Sequence, residues 1–115
     1  MVICGSFRFD YLFFIFLYDT EKNTIFIKQL RGLNTTPTES DYLSIIFSII
    51  YHRKIRDDNN IYIMSKRVPY ALNMGHIINP KYGVYRDYIK KCPYHIVIFR
   101  NSNKIYFIKK LLNLL

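Results

Sequence analysis

Two runs rich in aromatic and β-branched residues, Tyr11–Tyr18 and Thr24–Leu30, flank the polar segment Asp19-Thr-Glu-Lys-Asn23. Runs of this kind pair as antiparallel strands when a short polar loop joins them, because their side chains pack well on a pleated, half-buried surface. A β-hairpin near the start limits the rest of the chain, which must cover the apolar face of that hairpin. With 115 residues there is length for one core, so a single domain over 1–115 is expected: a hairpin extension over 1–23, a core over 24–115 and a long excursion over 66–83.

Thr36, Pro37 and Glu39 form a helix-start pattern, with a hydroxyl cap, proline at the first helical position and an acid three residues after the cap. Tyr42, Leu43, Ile46, Ile49 and Ile50 then recur at the spacing of one buried stripe, and His52, Arg53 and Lys54 close the helix where its dipole favours cations. Asp57-Asp-Asn-Asn60 reads as a turn before a short strand at Ile61 and Ile63, and Tyr94–Phe99 as another strand. Asn101-Ser-Asn103 caps a last helix whose stripe is Ile105, Ile108, Leu111, Leu112 and Leu115. Between those strands, residues 66–83 mix Pro, Gly, Asn, aromatics and cations without a clear period and are expected to form a loop.

This order predicts an α+β fold of ferredoxin-like, split βαβ type, with an antiparallel sheet and two helices on one face. The long loop joins the second and third core strands. The plan lacks its last strand, and Tyr11–Tyr18 is expected to stand in for it at the sheet edge beside Thr24–Leu30, protecting that edge from aggregation.

Charge narrows the function. The formal net charge is +9, yet residues 1–51 carry four Lys or Arg against five acids, whereas residues 52–115 carry thirteen against three. A basic chain can simply be soluble, but a field segregated in this way attracts phosphate backbones. Lys66, Arg67, Lys81, Arg86, Lys90 and Lys91 are the candidate phosphate contacts, with His76 as a further donor and Tyr70, Tyr82, Tyr85 and Tyr88 as rings able to stack on unpaired bases or pack on riboses.

Cys4 and Cys92 show no CxxC spacing, and His52, His76 and His95 show no metal-ligand spacing. No cofactor, metal, small-molecule substrate or catalytic residue is therefore expected. The eight-residue run Tyr11–Tyr18 falls short of the roughly 20 residues needed to cross a bilayer, so no membrane is expected either. Phe, Ile, Lys, Asn and Tyr make up 57 of the 115 residues while Ala occurs once, a bias that points to an AT-rich genome such as that of an organelle, a virus or a parasite.

Thr35-Thr-Pro-Thr-Glu39 opening a helix, after a hairpin and before a strand, looks like the core of ribonuclease H, a metal-dependent nuclease fold. That resemblance implies carboxylates holding two Mg²⁺ ions. Cys4-Gly5-Ser6 stands where Asp-Gly-Ser would be wanted, and Lys66 where the next acid is expected. The alternative reading is thus a ribonuclease H-like nuclease or a catalytically dead relative of one.

Across 24–115 the chain also resembles the universal small-subunit ribosomal protein ten family. Ile61-Tyr-Ile-Met-Ser-Lys-Arg67, His76-Ile-Ile-Asn-Pro-Lys81 and Arg86-Asp-Tyr88 carry that resemblance, and Gly75–Lys81 with Tyr88-Ile89 is similar to part of small-subunit ribosomal protein two. Lys91-Cys92-Pro93 departs from the ribosomal protein ten pattern, and its prolines before the loop are missing. The resemblances imply a non-enzymatic constituent of the small ribosomal subunit. Its partners would be the rRNA of the head and neighbouring ribosomal proteins; with the AT bias, the expected location is the mitochondrial ribosome in the matrix.

Overall fold

A computed structural model describes residues 1–31, 35–55, 59–74 and 80–113, and the side chains of Ile55, Tyr70, Asn73 and Met74 are outside that description. The chain forms a mixed α+β fold. Three strands come first: β1 (Val2–Phe9), β2 (Leu12–Asp19) and β3 (Thr24–Leu30). Helix α1 (Pro37–Ile55) leads to β4 (Asn60–Ile63), followed by α2 (Arg67–Met74), a 3₁₀ turn (Pro80–Tyr82), α3 (Gly83–Lys91), β5 (His95–Ile98) and α4 (Ser102–Asn113).

One five-stranded sheet has the order β3-β2-β1-β4-β5. The expected hairpin is present, with Phe13 to Asp19 facing Leu30 to Thr24. Asp19 ends β2, and its Oδ1 accepts hydrogen bonds from the backbone N–H groups of Glu21 (3.1 Å) and Lys22 (3.3 Å), shaping the turn. The ferredoxin-like arrangement is not the one observed. Residues 2–9, expected to lie in an extension, form the central strand: β1 pairs antiparallel with β2 and parallel with β4, and β4 is parallel to β5. Consequently β2 is interior, and β3 is the edge it was expected to protect.

β1 was hard to anticipate because it is buried on both faces, so Val2-Ile-Cys-Gly shows no alternation. A two-residue turn, Asp10-Tyr11, joins it to β2, with Asp10 at φ 56°, a left-handed conformation that aspartate tolerates.

Helices cover both faces rather than one. Val2, Cys4, Leu17, Ile61 and Ile63 pack with Tyr42, Ile45 and Ile49 of α1, Val68 of α2 and Ile89 of α3. On the opposite face Ile3, Phe16, Tyr18 and Phe99 pack with Ile108 of α4. Residues 67–74 are helical, not loop, since Val68 and Leu72, one turn apart, both reach the α1 side of the core. α3 escaped notice because Tyr82 precedes it without a side-chain cap, although Tyr82, Tyr85 and Ile89 have helical spacing.

Helix α1 starts as expected: Thr36 Oγ1 accepts the Glu39 N–H at 3.1 Å. Its buried stripe differs. Ile50 is exposed, while Ser40, Ser44, Ser48 and His52 are buried at four-residue intervals. Small side chains let the helix lie close to the sheet, and their hydroxyls are satisfied locally. Ser40, Ser44 and Ser48 donate to the carbonyls of Thr36, Asp41 and Ser44 at 3.0, 2.7 and 2.9 Å. Asn101 Oδ1 caps α4 through the Lys104 N–H at 3.1 Å, as its sequence suggested. The expected positions Asp57, Asp58, His76 and Leu115 lie outside the described residues.

Candidate nucleic-acid interface

The carboxyl ends of β1 and β4 and the first turns of α1 and α2 meet at one end of the sheet, the place where open α/β sheets receive ligands. A cleft of about 290 Å³ lies there, lined by Ser6, Arg8, Phe13, Asp41, Ser65 and Arg67, with Phe7 and Pro37 completing its wall. β1 carries Ser6 on the α1 side, where its hydroxyl donates to Asp41 Oδ1 at 2.7 Å. Asp41 is buried, so this hydrogen bond replaces part of its lost hydration. Arg8 and Arg67 are exposed, and Arg67 Nη1 reaches Thr38 Oγ1 at 3.5 Å.

Below the cleft Cys4 is enclosed. Burial pushes its thiol up to about 12; the neighbouring polar side chains of Ser48 and Ser44 offset only part of that, and the Asp41 charge adds to it. It is thus held as a neutral, enclosed thiol at neutral pH.

Two-metal hydrolysis needs several carboxylates around the ions. Among the residues lining this cleft Asp41 is the one carboxylate, held by Ser6 and sharing the cleft with Arg8 and Arg67, so the donor set does not fit a pair of divalent cations. Among the described residues no three His, Cys, Asp or Glu side chains gather closely enough to hold a metal ion. Glu39 faces Lys81 instead, at 2.7 Å.

The residues singled out from the sequence divide into groups. Lys66, Arg67 and Lys81 are exposed at the cleft end of the helical layer. Lys90 and Lys91 are exposed at the far end of α3. There Arg53 Nη2 donates to Cys92 Sγ at 3.3 Å, and its guanidinium lies 5.9 Å from the Tyr88 ring centre. The contacts Lys81–Glu39 and Cys92–Arg53 thus run α3 alongside α1. The two cationic groups belong to one helical layer but stand about 20 Å apart, the rise of α1 between residues 39 and 53.

Arg86 is half-buried, and its Nε is enclosed without a hydrogen-bond partner among the described residues. Tyr82 is not available to stack on a base. It is 9% exposed, its ring lies 5.5 Å from that of Tyr42, and its hydroxyl is 2.6 Å from Thr36 Oγ1. A tyrosine with an apolar body and a polar tip serves here to lock the start of α3 onto the start of α1. The Tyr70 side chain and His76 lie outside the described residues.

Sequence reasoning missed the aromatic and cationic tip of the β1–β2 hairpin. Phe9 is 62% and Tyr11 84% exposed, and the Arg8 guanidinium lies 5.7 Å from the Tyr11 ring centre and 6.0 Å from that of Phe13. The signal was present in Ser6-Phe-Arg-Phe9, where polar and aromatic residues alternate up to the Asp10 turn. No described helix is long and apolar enough to cross a membrane. No protein-family model matches the chain, and a search of curated proteins finds no significant similarity.

Proposed function

We propose that the chain is a non-catalytic RNA-binding protein built on the ribonuclease H plan, with the metal-binding carboxylates of that plan replaced. Support for the plan comes from topology. The hairpin β2–β3, the capped helix α1 and the strand β4 that follows it are the elements on which the ribonuclease H resemblance rests, and their strands belong to one sheet of order β3-β2-β1-β4-β5. The observation that carries the binding reading is the cleft at the carboxyl ends of β1 and β4. Asp41 is tied to Ser6 there, and Arg8 and Arg67 line it, so the groove suits a phosphate backbone better than a cluster of cations.

Affinity for a short RNA duplex or RNA–DNA hybrid, titrated with salt in EDTA and again in Mg²⁺, tests this. Binding in EDTA that weakens steeply with salt, without cleavage in Mg²⁺ or Mn²⁺, is the expected outcome. Metal-dependent cleavage, or no binding at low salt, overturns it.

The ribosomal setting is a separate proposal. The sheet order differs from the split βαβ plan, so a place in the small mitochondrial ribosomal subunit is supported by the local sequence resemblances, the segregated charge and the AT bias. Cosedimentation with small subunits from a mitochondrial lysate supports it, and migration apart from them at low salt refutes it.

A further inference from the structure

Among the described residues, the sheet face that carries α4 is only partly covered. α4 packs Ile105, Ile108 and Leu112 near Ile3, Phe16, Tyr18 and Phe99. Beyond it, towards the hairpin tip, β1 and β2 present Phe7 stacked on Phe14, ring centres 5.2 Å apart and planes 10° from parallel, and then Phe9 opposite Leu12, both exposed. A second cleft of about 240 Å³ opens between these rings and the end of α4, lined by Phe7, Arg8, Phe9, Lys109, Leu112 and Asn113. Phe7 and Arg8 line this cleft and the cationic one alike, so the two share a rim.

We infer that this second cleft receives one unpaired base of a single-stranded polynucleotide, with Arg8 and Lys109 on the flanking phosphates. Every base has a π-face that stacks on an aromatic ring, and positive groups beside the stack track the backbone. Phe9 supplies an exposed ring, and the Asn113 amide can both donate to and accept from a base edge. Charge selects the occupant. No acid occurs from Tyr88 to Leu115, while α4 carries Lys104, Lys109 and Lys110. Lys104 Nζ lies 5.2 Å from the Tyr18 ring centre and 5.6 Å from that of Phe107, continuing the pairing of cation and ring along the same helix. An apolar patch meant for a neutral protein surface would gain nothing from such a field, whereas a polyanion with exposed bases matches both parts.

The inference rests on the nucleic-acid reading above and adds the unpaired base to it. The test measures binding of fluorescent 12-nucleotide oligo(A), in ribo and deoxyribo forms, beside the same strands with abasic sites at equal charge. The intact strands are expected to bind about tenfold more tightly than the abasic ones, and Phe9→Ala, at an exposed position, to remove that difference. A preference between the two sugars identifies the natural source. Phe9→Trp puts a single tryptophan into a chain that has none, and its emission is expected to quench with the intact strand and not with the abasic one.

Equal affinity for intact and abasic strands, or a difference that survives Phe9→Ala, overturns the base-binding cleft and leaves the cationic reading standing. No binding of any strand or duplex overturns both. Self-association that Phe9→Ala abolishes, with nucleotide affinity unchanged, assigns the patch to a protein contact and overturns the inference.

Discussion

The Tyr51 hydroxyl donates a 2.6 Å hydrogen bond to Oδ2 of Asp19, joining the last turns of α1 to the end of β2. Asp19 is buried, which by itself would raise its pKa. Donation from Tyr51 and from the backbone N–H groups of Lys22 and Glu21, with the positive N-terminus nearby, outweighs that and holds the carboxylate below its ordinary range.

Tyr51→Phe removes one of these donors and leaves the ring, so the expected loss is about 1–3 kcal/mol at neutral pH, the worth of a hydrogen bond to a charged group. Because the pKa of Asp19 is lowered on folding, its contribution is present above its ordinary value of 3.8 and is lost as pH falls through the folded value. Urea denaturation at pH 7 and pH 3 checks this: the gap between wild type and Tyr51→Phe narrows in acid.

Stability at high pH follows the opposite sign. Burial raises both Cys4 and Tyr51 to about 12, from ordinary values of 9.0 and 10.0, and for Tyr51 the hydrogen bond to Asp19 and its charge add to burial. Groups raised on folding contribute fully below their ordinary values, and that contribution drains away between those values and about 12. The urea midpoint is therefore expected to fall from pH 9 upward, less steeply in Cys4→Ala. A thiol reagent at pH 8 should modify half-buried Cys92 and spare Cys4 until the protein unfolds.

Gly5 sits on β1 where a Cβ would come within 2.8 Å of Phe16 Cε1 and 3.0 Å of Cζ. That ring is buried, with its centre 6.4 Å from that of Phe7, so it cannot swing aside freely. Gly5→Ala is expected to cost about 1–3 kcal/mol by overpacking, read as a lower melting temperature. An unchanged melting temperature would show that the ring yields.

Lys66 and Arg67 are exposed beside the cleft, so replacing each by Ala should leave the fold intact and lower the salt slope of RNA binding by about 1 per lost phosphate contact. Lys90→Ala and Lys91→Ala, about 20 Å away along the same helical layer, give equal slopes only if the bound RNA reaches both ends. A 6-base-pair and a 16-base-pair duplex compared on the two pairs of variants measure that reach.

Much of the local structure was legible. The hairpin, the Thr36 cap, the existence of the two short strands at Ile61 and Tyr94–Phe99 and the Asn101 cap follow from turn chemistry and periodicity within a few residues of each site. Topology was not, since the direction of β4 and β5 depends on β1, whose doubly buried residues give no alternating signal. The candidate interface divided on the same ground. Exposed Lys66, Arg67, Lys90 and Lys91 were readable as cations, but composition could not show that Tyr82 is spent on Thr36 and Tyr42 or that Arg8, Phe9 and Tyr11 form a tip. Buried Ser44 and Ser48 likewise look like surface residues until the sheet is laid against them.

The place of β1 between β2 and β4 bears on synthesis. The meander Val2–Leu30 can zip up as soon as it leaves the ribosome, because its contacts are close in sequence. The other flank of β1 must wait for Asn60–Ile63, and a nascent chain stalled before that point would carry a bare, apolar strand through the middle of its future sheet. Shortened products ending before residue 60 should therefore clump or recruit chaperones.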